Sequence, residues 1–226
     1  MGIFYIISTM TPLSKHIINS GQANHVLNDR QLARLLGGSD ERRYGQVNRA
    51  LNKGELLRVK RGLYVLADQY RDYPVHPYAL AQQLMPGSYV SAETALSYHG
   101  WIPEAVRSVL SITAKGKSVS YEHDRLGMFE FRRMSVKPGY FLQGVTRYEL
   151  QHQAALIADP MRALLDLVYL RKLPWQGLSY LVDGLRIDEQ ALDKVTSLSM
   201  TKLLDVYKGK REKMFIEGLL KGLGYD

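Results

Sequence analysis

Gly37, Gly38, Ser39 and Gly54 punctuate residues 28–67 so closely that few local structures remain open to them. Asn28 is placed to start a helix, with Gln31 three residues on in the reciprocal capping position. Leu32, Leu35 and Leu36 fall on one face of that helix, and the paired glycines stop it. Ser39 caps a second helix, expected over roughly 40–53, which Gly54 closes. Residues 55–67 then alternate in the manner of strands. Leu57 and Val59 share one face, Leu63 and Val65 can pack likewise on the return, and Lys60-Arg61-Gly62 sits at the turn. Helix, glycine turn, helix and hairpin together predict a winged helix-turn-helix. Upstream, Thr11-Pro12 reads as the start of another helix with Leu13, Ile17 and Ile18 on its face; Gly21 ends it. Residues 25–27 fit a short strand.

An α-helix turns about 100° per residue. Over 40–53 this groups Tyr44, Val47 and Leu51, which are expected to face the core. The opposite stripe is Arg42, Gln46, Arg49 and Lys53, flanked by Arg43. No acid interrupts the stripe; Asp40 and Glu41 sit in the first turn, where the helix dipole favours them. Arginine can bridge guanine O6 and N7, and glutamine adenine N6 and N7, in the major groove. Arg42, Gln46 and Arg49 are therefore the candidates for base edges. Arg43, Lys53, Lys60 and Arg61 are the candidates for phosphates, which fix register rather than sequence.

Charge points the same way. Residues 1–72 hold 11 Lys/Arg against 6 Asp/Glu, while 73–226 hold 19 against 16. Positive charge concentrated in the first third attracts polyanions, nucleic acid foremost. The chain has no cysteine, which excludes disulfides and thiolate metal sites and fits a reducing compartment. The opening residues lack the pattern of a signal peptide, and Ile6 stands where a myristoylation motif wants Ser or Thr. No apolar stretch approaches the roughly 20 residues of a membrane span. A cytoplasmic protein is expected.

The run 68–77 contains two prolines and reads as a boundary. It divides the chain into a DNA-binding domain, 1–72, and a C-terminal domain, 73–226. The second domain is expected to be mixed α/β with a small antiparallel sheet and a helical C-terminal part, giving an α+β protein of two domains. Helices are expected at 78–85, 91–99 and 161–172, with three or four more over 175–222. Strands are expected at 106–114, 128–136 and 140–147. Ser91 and Asp159 are expected helix caps, and Leu164, Leu165 and Val168 the buried face of the 161–172 helix. Phe215, Ile216, Leu219 and Leu220 should anchor the last helix.

The second domain carries several residues of types used in catalysis. His99, His123-Asp124 and His152 lack the companions of a metal phosphohydrolase. Glu130 is followed by Arg132 rather than the lysine a metal nuclease would place there. No phosphate loop or nucleophile elbow occurs. No enzyme activity, cofactor or metal is expected. Lys115, Lys117, Arg132, Arg133 and Lys137 lie on or beside the expected strands and form a possible surface for a toxin or nucleic acid.

The segment "LNKGELLRVKRGLYVL" resembles the winged-helix part of the AbiEi family of antitoxins. "YVSAETALSYHGWIPE" (89–104) and "IADPMRALLDLV" (157–168) resemble that family's second domain. The resemblance implies a repressor whose winged helix binds inverted repeats in its own promoter. It also implies a C-terminal domain that counteracts a nucleotidyltransferase-like toxin in abortive infection, with direct contact between the two left open. Binding to inverted repeats fits a monomer or weak dimer, with two copies per operator. Three alternatives stand beside it: a winged-helix regulator that senses a ligand, a metal-dependent nuclease, and a module that binds only RNA or protein.

Overall fold

The computed structural model describes residues 9–225; the expectations about the first eight residues lie outside them. The chain is α+β and divides into two compact units, Met1–His76 and Pro77–Asp226. The division falls within the proline-containing run 68–77. Among the described residues, no helix is long and apolar enough to cross a membrane.

In the first unit, α1, Pro12–Asn19, is capped by the Thr11 side chain, which accepts from the Ser14 amide. The short strand β1, Leu27–Asn28, leads into α2, Asp29–Leu36. Asn28 and Gln31 cap α2 reciprocally: the Gln31 amide donates to Asn28 Oδ1 at 3.0 Å and the Asn28 amide to Gln31 Oε1 at 2.9 Å. Helix α3, Asp40–Asn52, is capped by Ser39. It is followed by β2, Leu56–Lys60, and β3, Leu63–Leu66, which pair antiparallel with β3 between β1 and β2. Leu13, Ile17, Leu27, Leu32, Val47, Ala50, Leu56, Tyr64 and Leu66 form the core.

Two expectations change here. Leu57 does pair with Val65. The face that supplies the core, however, is the other one, through Leu56, Tyr64 and Leu66. Strand β3 is buried on both faces, so alternation could not say which face looks inward. Tyr44, expected inside, is 66% exposed. Val47 is buried as expected and Leu51 packs against the core, with Ala50 in the place expected for Tyr44.

Glu55 joins the hairpin to α1. The Thr11 amide donates to its carboxylate at 2.9 and 3.1 Å and the Thr11 hydroxyl at 2.7 Å. A carboxylate thus satisfies donors at the positive end of a helix. Burial pushes the Glu55 pKa up. The Thr11 and Ser14 hydroxyls, the Thr11 amide and nearby Lys53 more than offset this and hold it below the usual glutamate value.

The second unit is built on a six-stranded sheet in the order β6-β7-β5-β4-β9-β8. Its strands are β4 Tyr89–Val90, β5 Ser108–Thr113, β6 Val119–His123, β7 Gly127–Arg133, β8 Val145–Leu150 and β9 Gln153–Ala158. The pairs β5/β7 and β4/β9 are parallel. The sheet is therefore mixed and larger than the small antiparallel one expected. Strand β9, "QAALIA", carries no alternation to distinguish it from a helix, and the expected strand at 140–147 is mostly turn before β8. Helices α4, Pro77–Leu84, and α5, Ala92–Tyr98, match expected ones, as does α6, Pro160–Arg171. A π-helical turn, Tyr180–Gly184, then precedes α7 Glu189–Leu192, α8 Ser197–Thr201 and α9 Lys210–Gly222.

Helix α6 buries every residue from Met161 to Val168, Arg162 and Asp166 among them. Arg162 offers five N–H groups and finds five acceptors. Nε donates to Asp166 Oδ1 at 2.9 Å. Nη1 donates to the Gln143 and Tyr140 carbonyls at 2.6 and 3.4 Å. Nη2 donates to Tyr89 Oη at 2.5 Å and the Phe141 carbonyl at 3.3 Å. Asp166 also accepts from Tyr207 at 2.6 Å, Tyr89 at 2.9 Å and Ser91 at 2.7 Å. Burial raises the pKa of both tyrosines well above the ordinary value, and the Asp166 charge adds to it. Ser91 is thus spent on Asp166, and Asp159 accepts from Thr146 at 2.8 Å. Neither side chain caps its helix, contrary to expectation.

Candidate nucleic-acid interface

Helix α3 presents its outer side according to which residues the core takes. Val47 and Ala50 are buried, and Arg43 and Leu51 half-buried beside them. At about 100° per residue, the direction opposite Val47 and Ala50 runs through Glu41, Gly45, Asn48, Arg49 and Asn52. The outer ridge is thus turned by roughly 60° from the one expected, and the expected stripe lies along one flank.

The seven predicted DNA-contact residues differ in what they can offer. Arg42 and Arg49 are exposed, and Arg49 Nε donates to the Gly45 carbonyl at 3.3 Å. Lys53 is exposed and its ammonium donates to the Thr9 carbonyl at 3.2 Å. Gln46 is half-buried, and its Oε1 is buried with no hydrogen-bond partner among the described residues. Arg43 is tied to its own helix start, pairing with Asp40 and donating to the Gly38 carbonyl.

At the hairpin, Lys60 is the last residue of β2 and pairs with Leu63, so the turn itself is Arg61-Gly62. Arg61 is exposed. Lys60 is half-buried, and that burial pushes its ammonium pKa down. Gly62 has φ +75°, and a Cβ there would lie 2.7 Å from an Asp29 carboxylate oxygen. The Asp29 amide also donates to the Gly62 carbonyl at 3.3 Å. The positive φ favours glycine at this turn, which sits against the start of α2.

A groove of about 860 Å³ separates the first turns of α3 from the hairpin. Tyr44, Asp40, Glu41 and Arg43 line its helix side, and Arg58 and Arg61 its hairpin side, with Asp29 between. Glu41 is held below the usual glutamate pKa by its own backbone amide and the Ser39 hydroxyl. The groove therefore balances three carboxylates against three guanidiniums. On the other flank Arg42 and Lys53 are exposed, with Lys53 near the Glu55 carboxylate.

In the second unit the five predicted cations do not form one surface. Lys115 and Lys117 are exposed in the β5–β6 turn, beside exposed Arg133, whose amide donates to Ser118 Oγ at 3.1 Å. Arg132 pairs with Glu130 at 2.6 Å. Lys137 is half-buried and pairs with Asp205 at 2.6 Å, which lowers the aspartate's pKa. Glu130 also accepts from Ser108 at 3.1 Å. His99 meets the Ala158 carbonyl at 3.0 Å through Nε2, and burial lowers its pKa. Among the described residues, no group of three or more His, Asp or Glu is arranged to hold a metal ion.

A second cavity, of about 540 Å³, lies among Leu96, Leu110 and Leu167, with Glu130, Glu93 and Glu104 around it. Glu93 pairs with Arg171, and Glu104 with Arg186 at 2.7 Å. Sequence reading missed the Arg162–Asp166 pair, although its signal was present. An arginine and an aspartate four apart inside an apolar helical run must either face water or satisfy each other.

No protein-family model matches the chain, and no curated protein matches it.

Proposed function

We propose that residues Met1–His76 are a winged helix that binds duplex DNA, and that the chain is a repressor and antitoxin of the AbiEi type. The observation that carries the first half is the exposure of Arg42, Arg49 and Lys53 on α3, ahead of a hairpin that ends in exposed Arg61. A helix of this width fits the major groove, and a basic hairpin beside it meets the sugar-phosphate backbone. Two copies on an inverted repeat would place half-site centres about 10 bp apart or a multiple of it.

The test is binding of the full chain to duplex DNA, single-stranded DNA and RNA at increasing salt. Duplex is preferred, and the log affinity falls by about 0.9 per phosphate contacted for each tenfold rise in salt. Lys60→Ala flattens that slope by one such step while weakening all sequences alike. Preference for RNA, or binding indifferent to salt, overturns the reading.

The antitoxin half rests on the resemblance of residues 89–104 and 157–168. Co-expression with the adjacent gene, a nucleotidyltransferase-like toxin on this reading, tests it. The wild-type chain restores growth, and so does a chain whose Arg42 and Arg49 are both alanine and which no longer binds its promoter. If wild type fails to restore growth, the antitoxin assignment falls. A ligand-responsive regulator is the second reading, favoured by the 540 Å³ cavity with its leucine floor. A thermal shift of the second unit with a small molecule would support it.

A further inference from the structure

The turned ridge of α3 changes which side chains can reach bases. Tyr44 lies on the flank that faces the hairpin, across the groove from Arg58 and Arg61. Asn48 stands one helical turn further along the same side, half-buried on the edge of the ridge nearest Tyr44. A duplex that touches the ridge and the hairpin together must pass over this quadrant. Gln46 lies on the other flank, with its amide oxygen already buried.

We infer that Asn48 and Tyr44 determine specificity, with Asn48 bridging N6 and N7 of an adenine and the Tyr44 ring resting on a neighbouring thymine methyl. This rests on the duplex-binding reading and replaces Gln46 as the adenine contact. The chemistry suits the side chains: asparagine offers one donor and one acceptor in the spacing that adenine's major-groove edge presents. An aromatic ring supplies the apolar surface that a C5-methyl group seeks. Tyr44 is 66% exposed, an unusual position for so large a side chain in a helix that has a core to fill. Residues four apart on one helix side lie about 5–6 Å from each other, close enough to read adjacent base pairs.

The test begins with selection of duplex sites from a randomised pool by the full-length protein. Substitution by 7-deazaadenine at the preferred adenine weakens wild type about tenfold and leaves Asn48→Ala unaffected. Uracil in place of the preferred thymine weakens wild type and Tyr44→Phe, and leaves Tyr44→Ala unaffected. Gln46→Ala responds to both bases as wild type does. All variants keep the wild-type salt slope and melting curve, which separates reading from folding. Several results overturn the inference: a selected site with no adenine or thymine preference, sensitivity to either base lost in Gln46→Ala, or sensitivity kept in Asn48→Ala and Tyr44→Ala. Absence of salt-dependent duplex binding by wild type would instead sink the duplex-binding reading itself.

Discussion

The two units use arginine in opposite ways. In the first, Arg42, Arg49, Arg58 and Arg61 stand at the surface. In the second, Arg162 is wholly buried, stacked within 5.2 Å of the Tyr89 ring centre and 5.6 Å of that of Tyr207. Moving a guanidinium out of water costs several kcal/mol, which only complete hydrogen bonding and an opposite charge can offset. Arg162 has both, and its Nη groups also fix the backbone of residues 140–143. The surface arginines keep their guanidiniums in contact with water. A formal charge count weighs these residues equally, yet only the exposed ones contribute to a field that DNA can feel.

The comparison is most exposed at Arg162. Arg162→Ala leaves Asp166 buried without its opposite charge and removes one donor from each of three carbonyls. The expected loss is about 3–5 kcal/mol in the second unit. Both tryptophans, Trp101 and Trp175, lie in that unit, so urea unfolding followed by their fluorescence reads it directly. A loss under about 1 kcal/mol would show that the 140–143 turn holds itself.

Arg49→Ala is the converse. It is expected to cost about 1–3 kcal/mol of duplex binding and to relax preference at one base pair. Its effect on unfolding should stay within about 0.5 kcal/mol, as at other exposed positions. Unchanged affinity for the selected site would remove Arg49 from the interface.

Glu55 sharpens the contrast at smaller scale, because it is a buried charge in the unit whose arginines are exposed. Its folded pKa lies below the ordinary 4.5. The stability it adds is therefore complete above that value and is lost as pH falls through the folded pKa. Glu55→Gln is expected to cost about 1–2 kcal/mol at neutral pH. It should also flatten the acid dependence of the first unit's helical signal in circular dichroism. An equal slope in wild type and variant would refute the role assigned to the Thr11 contacts.

Much of the first unit was legible because its signals are local. The Asn28–Gln31 cap, the Ser39 cap and the glycine at the hairpin turn each act within four residues, and all appear where expected. The rotation of α3 was not legible. Tyr44, Val47 and Leu51 form an apolar arc as good as the one used, but Ala50 lets α3 approach its neighbours closely and a tyrosine does not. In the second unit, β9 hid as an apolar run, and the cations at 115–137 gave no hint that Arg132 and Lys137 would find carboxylates.

The sequence alone determined the helix starts and stops of the first unit, the hairpin turn at Gly62 and the concentration of positive charge in the first third. These follow from backbone sterics and from side chains acting on their nearest neighbours in the chain. Only the tertiary structure decided which side of α3 faces outward, which face of the hairpin builds the core, and that Arg162 lies inside while Arg49 lies out. The burial of Arg162, for one, depends on Gln143 and Tyr89, 19 and 73 residues away, and pairing over that distance is settled by packing and desolvation rather than by local preference.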